Sequence, residues 1–229
     1  MTIPRRTTAV AEGVKMNSFI RCRDQFQENY DFTKRSRGHG GVAIFWKEHL
    51  DPFIQKLDCS NDRIQSIVLE TNPQKICIIN VYLPVNKGSS SLASYQEHLL
   101  TIEEIMEMTS DCSHIIIGDF IGSLIRANQQ DTILQNFVTA NQLLTKHSNE
   151  LTYFGYNNTE SQIDYTFTDK QDLFDCYATG MYADCNTSTH SVIQIGLPSH
   201  IQGEGVRVNK VVTKKYKWSK ANYVQMEAD

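Results

Sequence analysis

The run His114-Ile115-Ile116-Ile117-Gly118-Asp119-Phe120-Ile121 constrains the fold more than any other stretch of this chain. Three consecutive isoleucines are too few for a helix of their own and read as a strand buried on both faces. Gly118 ends the run, and Asp119 follows as a carboxylate at the mouth of the core. In sheets covered by helices, ligands gather beyond the carboxyl ends of such strands. Taken alone, Asp119 is explained more simply as a turn residue that hydrogen-bonds its own backbone after a strand. Both readings stay open until the rest of the chain is considered.

With 229 residues, 40% hydrophobic and 21% charged, the chain suits one globular domain with a layered core. No apolar run approaches the roughly 20 residues of a membrane span, so no membrane partner is expected. The basic start, Met1 to Arg6, lacks the apolar stretch of a secretory signal. Cys22, Cys59, Cys77, Cys112, Cys176 and Cys185 show no metal-binding spacing. Reduced thiols and an intracellular site are therefore expected, nuclear or cytoplasmic alike. A net charge of −4 argues against affinity for nucleic acid over the whole surface. The charge is uneven, however: Arg207–Lys220 holds six basic residues and no acid. Such a tail is either a solvated linker or a contact for phosphates.

Residues 1–36 are polar and basic, without a sustained period of 2 or 3.6, and are expected to be poorly ordered. Order is expected over 37–200, with 201–229 as a basic tail. Strands are expected at 42–46, 64–69 and 75–83, the last two joined as a hairpin by Thr71-Asn72-Pro73-Gln74. A helix near 94–109 would be capped by Ser94 and Glu97, with Leu99, Ile102 and Met106 on one face. Asp131 would cap a second helix over about 131–145. Further strands are expected at 163–167, 176–182 and 192–197. Strand hairpins mixed with two amphipathic helices indicate an α/β sandwich of packed sheets with helices outside.

Four polar residues stand where apolar strands begin or end: Tyr82, Asp119, Asp164 and His190. Singly, each has an ordinary structural explanation. In order, the segments Asn80-Val81-Tyr82-Leu83-Pro84, Gly118-Asp119-Phe120-Ile121, Ser161-Gln162-Ile163-Asp164-Tyr165 and Ser188-Thr189-His190-Ser191-Val192 resemble the endonuclease/exonuclease/phosphatase superfamily. Gly40-Gly41-Val42-Ala43-Ile44-Phe45-Trp46 and the tail Lys215 to Tyr223 look most like the endonuclease domain of a non-LTR, LINE-type retrotransposon polyprotein. In such polyproteins a reverse transcriptase follows. The resemblance covers roughly 40–220.

That resemblance implies a four-layer α/β sandwich, two mixed β-sheets flanked by helices, which hydrolyses DNA phosphodiesters with magnesium. By position, Asp119 would orient the attacking water and His190 would face the scissile phosphate. Asp164 would orient His190, and Tyr82 would contact the phosphate, while Thr152 and Ser161 would support the DNA-facing loop. These roles suit the chemistry: a phosphorane gathers negative charge, and a carboxylate behind an imidazole fixes its tautomer and raises its pKa.

Three departures oppose that activity. The family's Gly-Asp-x-Asn ends here in Ile121, and its Ser-Asp-His reads Ser188-Thr189-His190. Its first strands, the second of which ends in the Gln-Glu that holds magnesium, have no counterpart legible in 1–36. Gln27-Glu28 is the sole candidate dipeptide, without an apolar strand before it. Asp119 alone, with Glu28 as a remote candidate, makes a poor magnesium site. The expectation is a retrotransposon-derived nuclease-like domain with impaired catalysis. An active magnesium endonuclease and a non-enzymatic nucleic-acid binder are the alternatives.

Overall fold

The computed structural model describes residues 9–11, 14–21, 41–59, 61–86, 88–145, 150–155, 158–173, 176–180 and 188–198. Its strands are β1 (Ala9–Ala11), β2 (Val14–Arg21), β3 (Val42–Lys47), β4 (Ile54–Leu57), β5 (Ile64–Leu69), β6 (Lys75–Tyr82) and β7 (Cys112–Asp119). They continue with β8 (Tyr153–Phe154), β9 (Glu160–Ser161), β10 (Asp164–Thr168), β11 (Cys176–Gly180) and β12 (Val192–Gly196). Two α-helices, α1 (Ser89–Met108) and α2 (Gln129–Ala140), flank β7 in sequence, and a short 3₁₀ turn spans Glu48–Phe53. No described helix is long and apolar enough to cross a membrane.

The main sheet has the order β10-β7-β6-β5-β4, with β6 and β7 parallel and the other pairs antiparallel. The expected hairpin is its β5–β6 pair. β7 is hydrogen-bonded on both sides, and its Ile115 and Ile116 are 2% and 0% exposed, which accounts for the isoleucine run.

Side chains alternate between the two faces of a strand. On one face Cys77, Ile79, Val81 and Ile116 pack under Tyr95, Leu99, Ile102 and Ile105 of α1 and under Leu134 and Phe137 of α2. On the other face Ile67 and Ile78 meet Phe19 and Trp46 of the three-stranded sheet β1-β2-β3. Further along that face Ile76 and Ile115 meet Leu173, with Ile195 and Leu197 against them. Helices, main sheet and smaller sheets thus form the expected α/β sandwich. Burying each large aliphatic or aromatic side chain in such a core is worth roughly 1.5–3 kcal/mol.

Three local expectations are corrected. The first is that residues 1–36 contain no strand, whereas Val14–Arg21 forms β2, fully registered against β3 from Met16↔Lys47 to Arg21↔Val42. Its pattern hides the strand because Asn17, Ser18 and Phe19 are all buried, so polar residues fall where alternation would show apolar ones. Across the sheet interface, the Gln65 amide donates to Val42 O and Phe19 O, and Asn80 Nδ2 to Ala43 O at 3.0 Å. That interface is partly polar and therefore quiet in hydropathy. Elsewhere in 1–36, Gln27 and Glu28 lie outside the described residues, as does the basic tail 201–229.

The second correction concerns α1, which starts at Ser89 rather than near Ser94. Gly88 takes φ +122°, a value natural to glycine, and Asn86 Oδ1 accepts its amide at 2.9 Å. Ser94 lies inside the helix, its carbonyl 2.6 Å from His98 Nδ1. The third is the cap of α2, which is Asn128. Asp131 closes the box from the third helical position, accepting from Asn128 N at 3.3 Å while donating its own amide to Asn128 Oδ1 at 2.9 Å. α2 ends at Ala140, and Leu144 instead bridges to Thr168.

Candidate functional site

β7 delivers Asp119, its last residue, to the carboxyl edge of the main sheet by way of Gly118, where the strand passes close against β6. Gly118 has φ +141°, and a Cβ there would lie 2.0 Å from Val81 O on β6. Only glycine fits this approach. The pairing then places Asp119 opposite Tyr82 of β6 and opposite Asp164 of β10. One step beyond the pair Ile64↔Val81, Arg63 stands opposite Tyr82, whose amide donates to Arg63 O at 2.9 Å. Residues paired across neighbouring strands share a face. Arg63, one residue before β5, therefore forms one row with Tyr82 of β6, Asp119 of β7 and Asp164 of β10.

His190 enters this row from the segment before β12. Its backbone bridges to Tyr153, with the two ring centroids 4.9 Å apart. Phe154 N donates to Thr189 O at 2.8 Å and Ser191 N to Thr152 O at 2.7 Å, which fixes the segment on both sides of the histidine. His190 Nδ1 lies 3.1 and 3.0 Å from the two oxygens of Asp164. Asp119, Asp164 and His190 each offer a ligand atom within 4.8 Å of the others.

Thr152 ties this arrangement together from below. It is fully buried, and its Oγ1 accepts from Ile163 N at 3.1 Å and Asp164 N at 3.0 Å. One hydroxyl thus orients the strand entry that carries Asp164, while the same residue's carbonyl holds Ser191 beside His190. Ser161 lies further out, in register with Tyr153, its carbonyl accepting from Thr152 N at 3.0 Å. The candidates Asp119, Asp164 and His190 are brought together, Tyr82 is next in the row, and Thr152 and Ser161 form the support beneath.

The electrostatics are those of a crowded, half-desolvated site. Burial pushes the Asp119 carboxyl up to about 6, and the charge of Asp164 adds to the push, while the Ile121 amide and His190 pull it back. The hydrogen bond that His190 Nδ1–H donates to Asp164 holds the imidazole above its usual value against its burial, with the charges of Asp164 and Asp119 assisting. Asp119 Oδ1 accepts Ile121 N at 2.9 Å, the self-turn that the sequence offered as its simpler reading. The same carboxylate makes this self-turn and stands beside Asp164 and His190.

Ile121 is the exceptional backbone position. It sits at φ +57°, a left-handed conformation that a β-branched side chain rarely adopts. The next residues are held rigidly. Fully buried Asp131 accepts Ser123 N at 2.7 Å and the Arg126 guanidinium at 3.0 Å, and Gln135 Nε2 reaches Arg126 O at 2.8 Å.

Sequence reasoning missed Arg63. Its guanidinium lies 5.1 Å over the Tyr82 ring, and Nη1 donates to Tyr82 O at 3.2 Å. The available signal was its place at alternate positions with Gln65 and Ile67, immediately before an apolar strand.

Magnesium, the ion implied by the resemblance, can be tested against these donors. Both Asp164 oxygens face His190 Nδ1, and Asp119 Oδ1 is taken by the Ile121 amide. The third member is an imidazole, a ligand suited to zinc, copper or iron rather than to a hard cation. Mg²⁺ demands near-octahedral oxygen coordination. Among the described residues, the donor set does not fit it, and Glu28 lies outside them.

No protein-family model matches the chain, and no curated protein matches it in sequence. Solved structures do match in fold. The endonuclease domain of TRAS1, a telomere-specific non-LTR retrotransposon, aligns over 80% of each chain with a TM-score of 0.58 and 14% identity. An endonuclease/exonuclease/phosphatase family protein from Leptotrichia buccalis aligns over 81% of this chain and 73% of its own, with a TM-score of 0.56 and 14% identity. The 3′ phosphatase NExo from Neisseria, bound to a product DNA hairpin, covers 69% of this chain and 75% of its own, with a TM-score of 0.54 and 14% identity. The fold of this chain is that of the endonuclease/exonuclease/phosphatase sandwich.

Proposed function

We propose that the chain belongs to the endonuclease/exonuclease/phosphatase superfamily as a retrotransposon-type endonuclease-like domain that engages DNA phosphates but hydrolyses them at or near background. The observation that carries this reading is the backbone at residue 121. Asn is one of the few side chains at ease in the left-handed region. The loop keeps a conformation suited to the family's Asn, while the residue is Ile at φ +57°. The shape has outlasted the function of its side chain.

Under this reading the phosphate-facing half survives. Asp164 holds the His190 imidazole by Nδ1, leaving Nε2 to face a substrate oxygen, and Tyr82 stands in the same row. Asp119, pushed up to about 6, suits the positioning of a water molecule near neutral pH. The charge-stabilising half is depleted. Ile121 offers no donor, Thr189 carries no charge, and the remaining carboxylates do not suit magnesium. Loss of one preorganised donor costs about 10²–10³ in rate, and loss of the metal several kcal/mol more.

Nicking of supercoiled plasmid tests the reading. With magnesium or manganese, the chain should nick no faster than its His190→Ala variant. Cleavage abolished by His190→Ala would overturn the claim of lapsed catalysis and turn attention to Glu28.

A further inference from the structure

The mismatch between these donors and magnesium raises the question of what balances phosphate charge at this mouth. We propose that the site binds a phosphate-bearing single strand without a divalent cation, with Arg63 as the phosphate-binding residue. This rests on the nucleic-acid reading above and names the group that replaces the metal's charge.

Arg63 occupies the end of the row, two strand spacings from Asp119, which is roughly 10 Å at 4.8 Å per strand. Its fork is preorganised. The guanidinium lies over the Tyr82 ring, 5.1 Å from its centroid, and a single N–H is committed to Tyr82 O. No carboxylate among the described residues pairs with it, so the other donors of the guanidinium are unspent. A guanidinium in this state matches the geometry of a phosphate, and little side-chain entropy remains to be lost on binding.

The partnership also gives Tyr82 a second task. Its ring stands between the guanidinium and the carboxylates of Asp119 and Asp164, and holds the guanidinium on the far side of the row from those acids. Those two acids repel a backbone phosphate. The strand is therefore expected to run along the Arg63 side of the row, its phosphate on the fork and its bases turned away from the acids. A magnesium-dependent site would require the phosphate at the acids instead.

Fluorescence anisotropy of a short fluorescein-labelled single-stranded DNA, titrated with the full chain in EDTA and again in magnesium, decides the matter. Binding in EDTA should match binding in magnesium within about twofold. Arg63→Gln should weaken it by about tenfold and flatten the log–log salt slope by about 0.7, the value for one phosphate contact on a single strand. Should Arg63→Gln not fold by circular dichroism, Arg63→Lys answers in its place: loss of the fork should still cost about threefold.

Wild-type affinity in the folded glutamine variant, or in the lysine variant where that one is used, overturns the proposal. Such a result leaves the nucleic-acid reading standing on other contacts, the basic tail 207–220 included. Binding that appears in magnesium and vanishes in EDTA likewise overturns the proposal and spares the reading. Absence of binding in both buffers removes the two together.

Discussion

A carboxylate held at the wrong pKa should make the protein less stable than it could be. Asp119 is pushed up to about 6 from the ordinary carboxylate value of 3.8, chiefly by burial and then by the charge of Asp164. Because the folded value exceeds the unfolded one, the native state binds the extra proton between about pH 4 and 6. Stability therefore falls as pH rises through that window and stays reduced above it. A shift of about 2 units corresponds to ~3 kcal/mol at 1.36 kcal/mol per unit. Asp119→Asn removes the buried charge and keeps an oxygen for the Ile121 amide, though as a neutral acceptor worth roughly 1 kcal/mol less. It also removes part of the support for the charged form of His190. The net expected gain is about 1–2 kcal/mol above pH 7, which in a chain of this size is a rise in Tm of about 3–6 °C. Below about pH 4 the gain should vanish. Thermal unfolding by circular dichroism across pH 4–8, with the two proteins in parallel, measures the difference curve. Asp111→Asn is the control of opposite sign, since the hydrogen bond from Lys75 holds the exposed Asp111 below its usual value. An Asp119→Asn variant no more stable than wild type at pH 7.5, or one whose advantage is the same at pH 4, would refute the reasoning. Stabilisation, by contrast, is the signature of a group kept for a task other than folding.

Other outcomes follow from the same geometry. Ile121→Asn should relieve the left-handed strain and raise stability by about 1 kcal/mol, read as a higher midpoint in urea, whereas Ile121→Val should not. Thr152→Val leaves the buried amides of Ile163 and Asp164 without their acceptor and should cost about 2–4 kcal/mol, while Thr152→Ser should cost less than half of that. His190, held above 6.5 chiefly by the hydrogen bond it donates to Asp164, contributes stability that is complete below pH 6.5 and is lost as pH rises through its folded value. Its NMR titration midpoint should fall in Asp164→Asn, and an unchanged midpoint would count against the pair. Gly118→Ala places a methyl 2.0 Å from Val81 O at φ +141° and should yield no folded protein on expression.

The sequence alone determined the elements whose signal is local. Ile115 and Ile116 announce a doubly buried strand because apolar side chains fill both faces, and Thr71–Gln74 joins two β-branched runs whose pairing follows from their adjacency. It also placed Tyr82, Asp119, Asp164 and His190 at strand ends in a recognisable order. Tertiary structure decided what depends on residues far apart. β2 became legible only once Asn17 and Ser18 were seen to be buried, where burial and hydropathy part company. Asp131 proved to be the inner half of a cap and the anchor of the 123–128 loop, because its partners Asn128, Ser123 and Arg126 converge on one fully buried carboxylate. Arg63 joined the site because strand register set it opposite Tyr82, a distance of 19 residues in sequence and one strand in space. The left-handed φ of Ile121, too, is a property that no hydropathy pattern announces. Hydrophobic periodicity reports on a residue's own segment, whereas charge, register and strain are properties of neighbours that the fold supplies.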